Sequence, residues 1–184
     1  MSRVCVFLAD GFEEIEGLTV VDILRRAGVE TQMVSVTEEK TVEGSHGIRV
    51  QADICLKDAD FGMTELLVLP GGMPGTKHLG ACEALTGLLV QFCREGKKVA
   101  AICAAPGVLG DLGLLQGRKA ACYPGFEDRL IGAEVVFDKV VTDGNVTTSR
   151  GMGTAIPFAL SLVEQLVSPE KAMEIRKGII YGHA

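Results

Sequence analysis

The chain has 184 residues, 47% hydrophobic and 23% charged, with a formal net charge of −6, which suits one globular domain with a sizeable core. An acidic chain without a Lys/Arg run longer than a pair is unsuited to nucleic-acid backbones or anionic membranes, and no apolar run approaches the roughly 18 residues of a membrane span. The six cysteines, at 5, 55, 82, 93, 103 and 122, lack C-x-x-C spacing, so neither a metal site nor a dithiol pair is signalled; free thiols and no basic leader predict a cytoplasmic protein.

Val4 to Ala9 is an unbroken apolar run and predicts a first strand buried on both faces. Asp10-Gly11 ends it, and Glu13 to Arg26 carries Ile15, Leu18, Val21 and Leu24 at helical spacing, closed by Gly28. Glu13, Glu14 and Glu16 fall in the first turns and complement the helix dipole, with Asp10 and Glu13 placed to form a capping box. Glu16 stands too far along to cap, and it precedes Gly17, whose missing side chain admits a close neighbour. It is either a dipole partner or a functional carboxyl. Glu30 to Val36 predicts a second strand, Thr37 to Gly47 a turn or small hairpin, and Ile48 to Ile54 a further strand. Leu66 to Leu69 is a short buried strand that runs into Pro70-Gly71-Gly72-Met73-Pro74-Gly75, too rich in breakers to be regular. A long helix is expected from about His78 to Glu95.

Lys98 to Ile102, behind the Gly96 break, predicts a central strand, and Ala104-Ala105 open a helix. The turn Ala101-Ile102-Cys103-Ala104-Ala105 resembles a nucleophile elbow, with alanines where glycines are commoner. A thiol at that turn faces the free N–H groups and positive end of the next helix, an environment that favours the thiolate. Farther on, Lys119 to Cys122 predicts a strand, Tyr123-Pro124-Gly125 a break, and Val135 to Val141 with Val146 to Thr148 a strand pair turned by Asp143-Gly144. Thr154 to Val167 and Pro169 to Arg176 predict two helices, Ser168-Pro169 starting the second. The alternation of strand and helix predicts an α/β protein with a mainly parallel sheet covered on both faces and a site at the strands' carboxyl ends.

Such a sheet brings Asp10–Glu16, Gly71–Gly75 and Cys103 together. A carboxyl beside a thiolate is driven towards its protonated form by burial and like charge, and serves as a proton donor to sulfur and as acid or base. Gly71 and Gly72 let backbone N–H groups approach the same point and, with the N–H of Ala104, form an oxyanion hole; the alternative is an ordinary tight turn. These glycines match neither the dinucleotide fingerprint nor the P-loop, so a nucleotide cofactor is not supported. His46, His78 and His183 read as surface, capping and tail residues, and Tyr123 and Pro124 either line the site or pack beneath it.

At this point the chain resembles the ThiJ/PfpI superfamily, and within it the branch of the parkinsonism-associated protein deglycase and its bacterial relatives. The match rests on Asp10-Gly11-Phe12-Glu13-Glu14-Ile15-Glu16, Val21-Asp22 with Arg25-Arg26-Ala27-Gly28, Leu69-Pro70-Gly71-Gly72, Ala101 to Pro106, and Thr148-Ser149-Arg150-Gly151. The resemblance covers 1–184 as one amidotransferase-like domain. It implies a flavodoxin-like, doubly wound sandwich, a homodimer, a reactive, oxidisable Cys103, a protonated Glu16 bonded to it, and a pocket from Gly71, Gly72, Ala104, Tyr123, His46 and Arg26. Ala104 stands where the protease-like branch has a histidine, which argues against peptidase or amidase chemistry. Tyr123 replaces a pocket histidine, as an aromatic does in the bacterial relatives, and His46 replaces a pocket arginine. The implied activity is a cofactor-free glyoxalase or deglycase for methylglyoxal, glyoxal or their early protein adducts. The alternatives are a redox sensor or chaperone acting through a Cys103 sulfinate, and an inert binding module.

Overall fold

The computed structural model describes residues 3–182. In chain order it contains β1 (Arg3–Leu8), α1 (Glu14–Arg26), β2 (Glu30–Ser35), β3 (Thr41–Glu43), β4 (Arg49–Gln51), β5 (Ile54–Cys55), β6 (Thr64–Leu69), α2 (Gly75–Ala81) and α3 (Glu83–Arg94). There follow β7 (Lys98–Ile102), α4 (Pro106–Asp111), β8 (Lys119–Ala120), β9 (Glu134–Val135), β10 (Val140–Asp143), β11 (Val146–Ser149), α5 (Ala155–Leu166) and α6 (Pro169–Gly178). A seven-stranded sheet in the order β10-β11-β7-β6-β1-β2-β5 forms the centre, parallel throughout except for the β10–β11 hairpin. The alternation in the sequence therefore has the expected outcome, an α/β sandwich.

The period-two geometry of strands divides the core. Val4, Val6 and Leu8 of β1 pack with Val20, Ile23 and Leu24 of α1 and with Phe158 and Leu162 of α5. Cys5, Phe7 and Ala9 face the opposite layer, where Leu79, Leu85, Leu89, Phe92 and Leu109 from α2, α3 and α4 meet them. Both faces of the central strands are covered, which is why β1 reads as continuous apolar sequence rather than as alternation.

Four expected elements come out differently. The helix expected from His78 to Glu95 is two helices, because Cys82 takes an extended conformation (φ −80°, ψ 98°) between α2 and α3. The strand expected from Ile48 to Ile54 is divided at Ala52 and Asp53. The Ala52 N–H donates to the Lys40 carbonyl, while Asp53 Oδ2 accepts from the Met33 N–H at 2.7 Å and from Arg25. β4 then pairs antiparallel with β3, and β5 joins β2. The Val135–Val141 strand is likewise two: β9 pairs parallel with β8 in a separate small sheet, and only β10 reaches β11. The Asp10–Glu13 capping box is absent, since Glu13 is the N-cap without a side-chain bond and Asp10 Oδ1 accepts instead from the Glu43 N–H at 2.9 Å. His183 lies outside the described residues.

Candidate functional site

The carboxyl ends of β1, β6 and β7 converge, and Cys103 is the residue directly after β7. Its φ is +66°, a left-handed conformation that costs an L-residue about 1–3 kcal/mol and persists only where the surroundings enforce it. Here they do. The Cys103 N–H donates to the Ser149 carbonyl at 3.0 Å, and its carbonyl accepts from the Tyr123 N–H at 2.8 Å. α4 begins at Pro106, two residues later than expected, with Ala105 as its N-cap.

Glu16 emerges from the first turns of α1 and is 1% exposed. Its Oε2 accepts from the Gly71 N–H at 2.8 Å. Gly71 is the seam between the two reactive groups: a Cβ there would lie 2.5 Å from Cys103 Cβ, 2.7 Å from Glu16 Oε2 and 3.0 Å from the sulfur. Gly72 is required for a different reason, a left-handed φ of +89° with its backbone against Glu13 N and Gly11 O. The room beside Gly17 is taken by the Phe12 ring, 3.2 Å from where a Cβ would be, so the close neighbour expected there comes from the same segment.

Burial pushes the Glu16 carboxyl up to about 7, against the opposing hydrogen bonds from Gly71 and Cys103. Burial also pushes the Cys103 thiol up, to about 12, and the Glu16 charge adds to it, while the backbone N–H groups of Gly72 and Ala104 act the other way. The N–H donors expected from sequence to favour the thiolate are present, but burial and the facing Glu16 charge oppose them. The helix behind Cys103 is short and starts late, and the desolvated site with a carboxylate beside it outweighs the N–H donors. Near neutrality Glu16 passes between acid and carboxylate, and in the carboxylate form a single proton moving from sulfur to Glu16 converts thiol and carboxylate into thiolate and acid.

These groups open into a cleft of about 620 Å³ whose walls include Glu13, Gly72, Ala104, Tyr123 and His46. Of the residues expected there from sequence, Cys103, Glu16, Gly71, Gly72, Ala104, Tyr123 and His46 are brought together. Arg26 is not. It lies on the far side of α1, paired with Asp22 at 2.6 Å and lining a different groove with Ile15 and Leu18. His46 reaches the mouth, but its Nδ1 bonds Glu14 Oε2 at 2.9 Å, and that bond with the nearby Glu13 and Glu14 charges raises its pKa. Met73, Phe126, Arg150 and Met152 also line the cleft, and sequence reasoning assigned them no role. Arg150 and Met152 flank Gly151 after β11, and only the third dimension sets that loop opposite Cys103. Among the described residues no helix is long and apolar enough to cross a membrane.

Residues 2–165 match the model of the DJ-1/PfpI family. Protein DJ-1 homolog B of Arabidopsis thaliana is 40% identical over 94% of this chain, which spans only 40% of that plant protein's length. The glutathione-independent glyoxalase DJR-1.2 of Caenorhabditis elegans is 35% identical over 90% of this chain and 88% of its own. The structure of oxidized Toxoplasma gondii DJ-1 superposes with a TM-score of 0.95 at 38% identity, covering 100% of both chains. The flavodoxin-like α/β fold is thereby that of the DJ-1 proteins.

Proposed function

Because this chain belongs to the DJ-1/PfpI family, we propose that it is a cysteine-dependent, cofactor-independent glyoxalase that also acts on early dicarbonyl adducts. The observation that carries the reading is the Gly71 seam, which sets a carboxyl with a pKa of about 7 directly beside the Cys103 thiol. A proton-transfer group is most effective when its pKa lies near the working pH. Glu16 as carboxylate takes the thiol proton while sulfur bonds the aldehyde carbon of methylglyoxal. The proton passes to the carbonyl oxygen, giving a hemithioacetal. Glu16 then removes the hydrogen on that carbon and returns it to the neighbouring carbon, while the hydroxyl proton passes from the first oxygen to the second, leaving a lactoyl thioester. Water cleaves the thioester, releasing lactate and the free thiol. The N–H groups of Gly72 and Ala104, which face the sulfur, are placed to hold the oxygen on the carbon bonded to it.

The test is lactate formation from methylglyoxal without glutathione. Parent protein is expected to form it and Cys103→Ala is not; equal rates would remove Cys103 from the mechanism. The second reading, a redox sensor, draws on the same two N–H donors, which suit a sulfinate. Peptide mass spectrometry after mild peroxide separates the two, since a sensor oxidises at Cys103 before the other five cysteines. The chain is further proposed to work as a homodimer. The second copy would cover the apolar groove of Ile15, Leu18, Ile156 and Ile179, where Ile15 is 50% exposed.

A further inference from the structure

Among the described residues, two buried side-chain polar atoms lack a hydrogen-bond partner, Arg150 Nε and Thr76 Oγ1. Arg150 lines the Cys103 cleft. Thr76 lines an adjoining cavity of about 310 Å³ that shares Met73, Ala104 and Phe126 as walls with the cleft. Buried polar groups are nearly always paired, so two orphans in the walls of one two-chambered cleft mark where the protein leaves its own polar groups unsatisfied.

Arg150 is the stronger of the two. Several arginines are engaged by protein carboxylates, Arg26 by Asp22, Arg129 by Asp111 and Arg25 by Asp53, and Arg118 and Arg176 donate to backbone carbonyls, whereas the Arg150 guanidinium has no carboxylate partner among the described residues and its Nε no hydrogen bond. Its position is nevertheless held. The backbone N–H groups of Arg150 and Gly151 both donate to Thr154 Oγ1, at 3.2 and 3.0 Å, and the guanidinium carbon lies 5.6 Å from the centre of the Phe137 ring. A planar guanidinium braced over an aromatic face and lacking an anion is pre-organised for a carboxylate, which it can grip through two parallel N–H donors. The other basic side chain at the cleft, His46, is already bonded to Glu14.

We propose that Arg150 is the anion receptor of this cleft, and that its guanidinium binds the carboxylate of a carbonyl compound whose reactive carbon sits at Cys103. This rests on the reading of Cys103 as the nucleophile and adds to the neutral dicarbonyls a further substrate class, carbonyl compounds that carry a carboxylate. A neutral dicarbonyl leaves the guanidinium unpaired until hydrolysis generates the carboxylate product.

The test compares iodoacetate with iodoacetamide as alkylating agents for Cys103, followed by mass spectrometry of its peptide. The two reagents share a leaving group and differ in carboxylate against carboxamide. Parent protein is expected to show saturable alkylation by iodoacetate, and the iodoacetate-to-iodoacetamide rate ratio is expected to fall at least about fivefold in Arg150→Gln and by less in Arg150→Lys. A ratio within about twofold of the parent in Arg150→Gln would overturn the proposal. A second measurement needs no variant: lactate is expected to protect Cys103 of the parent from iodoacetamide and lactamide is not, and equal protection by both would overturn it. Neither readout requires turnover, so a protein that discriminates the reagents without forming lactate retains the receptor and loses the glyoxalase reading, and the converse result does the reverse.

Discussion

Two glutamates only two residues apart are driven in opposite directions by what surrounds them. Burial raises Glu14 as well, but the His46 ring and the backbone N–H groups about it outweigh that and hold Glu14 at about 2, whereas the burial of Glu16 wins and holds it at about 7, against the ordinary 4.5. A carboxyl raised on folding stabilises fully below its unfolded pKa, and that contribution is lost as pH rises through the folded one. For Glu16 the window runs from about pH 4.5 to above pH 7 and amounts to about 3 kcal/mol. Glu16→Gln keeps an oxygen for the Gly71 N–H and removes the titration. It is expected to be more stable than parent at pH 8 by an amount of that order, to match it more closely at pH 5, and to lose about 100-fold or more in dicarbonyl turnover. Urea unfolding at both pH values, with lactate assays alongside, checks this; a stability difference independent of pH would contradict it. Gly71→Ala addresses the same pair by volume. Its Cβ would sit 2.5 Å from that of Cys103, so overpacking is expected to cost about 1–3 kcal/mol and to separate thiol from carboxyl. Parent-like stability and activity in that variant would show that the seam relaxes freely.

At the scale of elements, the break between α2 and α3 carries a measurable consequence. Cys82 is both the C-cap of α2 and the N-cap of α3, with extended dihedrals suited to capping but no side-chain bond to the first-turn N–H groups. Cys82→Asp supplies the missing acceptor and places a negative charge at the helix N-terminus. It is expected to stabilise the protein by about 0.5–1 kcal/mol in urea unfolding, and destabilisation would mean that the thiol packs better than a cap bonds. The break itself is illegible in the sequence, because Gly80 to Leu85 contains no proline and its apolar spacing continues. The chain bends there so that Leu79 and the Leu85-Leu89-Phe92 stripe can both reach the same core layer. The elbow differs in kind. Its small flanking residues are visible in sequence, but the left-handed φ of Cys103 depends on hydrogen bonds to Ser149 and Tyr123, each about 20 or more residues away.

For the whole molecule, the testable step is assembly. The groove beside Ile15 lies on the face of α1 away from the sheet, and an exposed branched apolar residue among Leu18, Ile156 and Ile179 is a poor neighbour for water. Ile15→Glu is expected to convert a dimer to a monomer in sedimentation velocity while leaving the monomer folded by circular dichroism. A parent protein that sediments as a monomer would remove the dimer from the proposal.

What the sequence by itself determined was whatever depends on local periodicity and on single unusual residues. The apolar runs Val4 to Leu8 of β1 and Val99 to Ile102 of β7 require cover on both faces, the strand–helix alternation yields a mainly parallel sheet, and the Gly-Gly and Ala-Ile-Cys-Ala-Ala turns mark the strand ends where a site forms. What the tertiary structure decided was everything that depends on distance through space. Arg26 and Glu16 share a helix, yet one meets Asp22 in water and the other Cys103 in the core. The thiol pKa is set by the net of desolvation, a facing carboxyl and two backbone donors, which no spacing encodes. Arg150 enters the cleft only because β11 pairs with β7 and carries the following loop to Cys103.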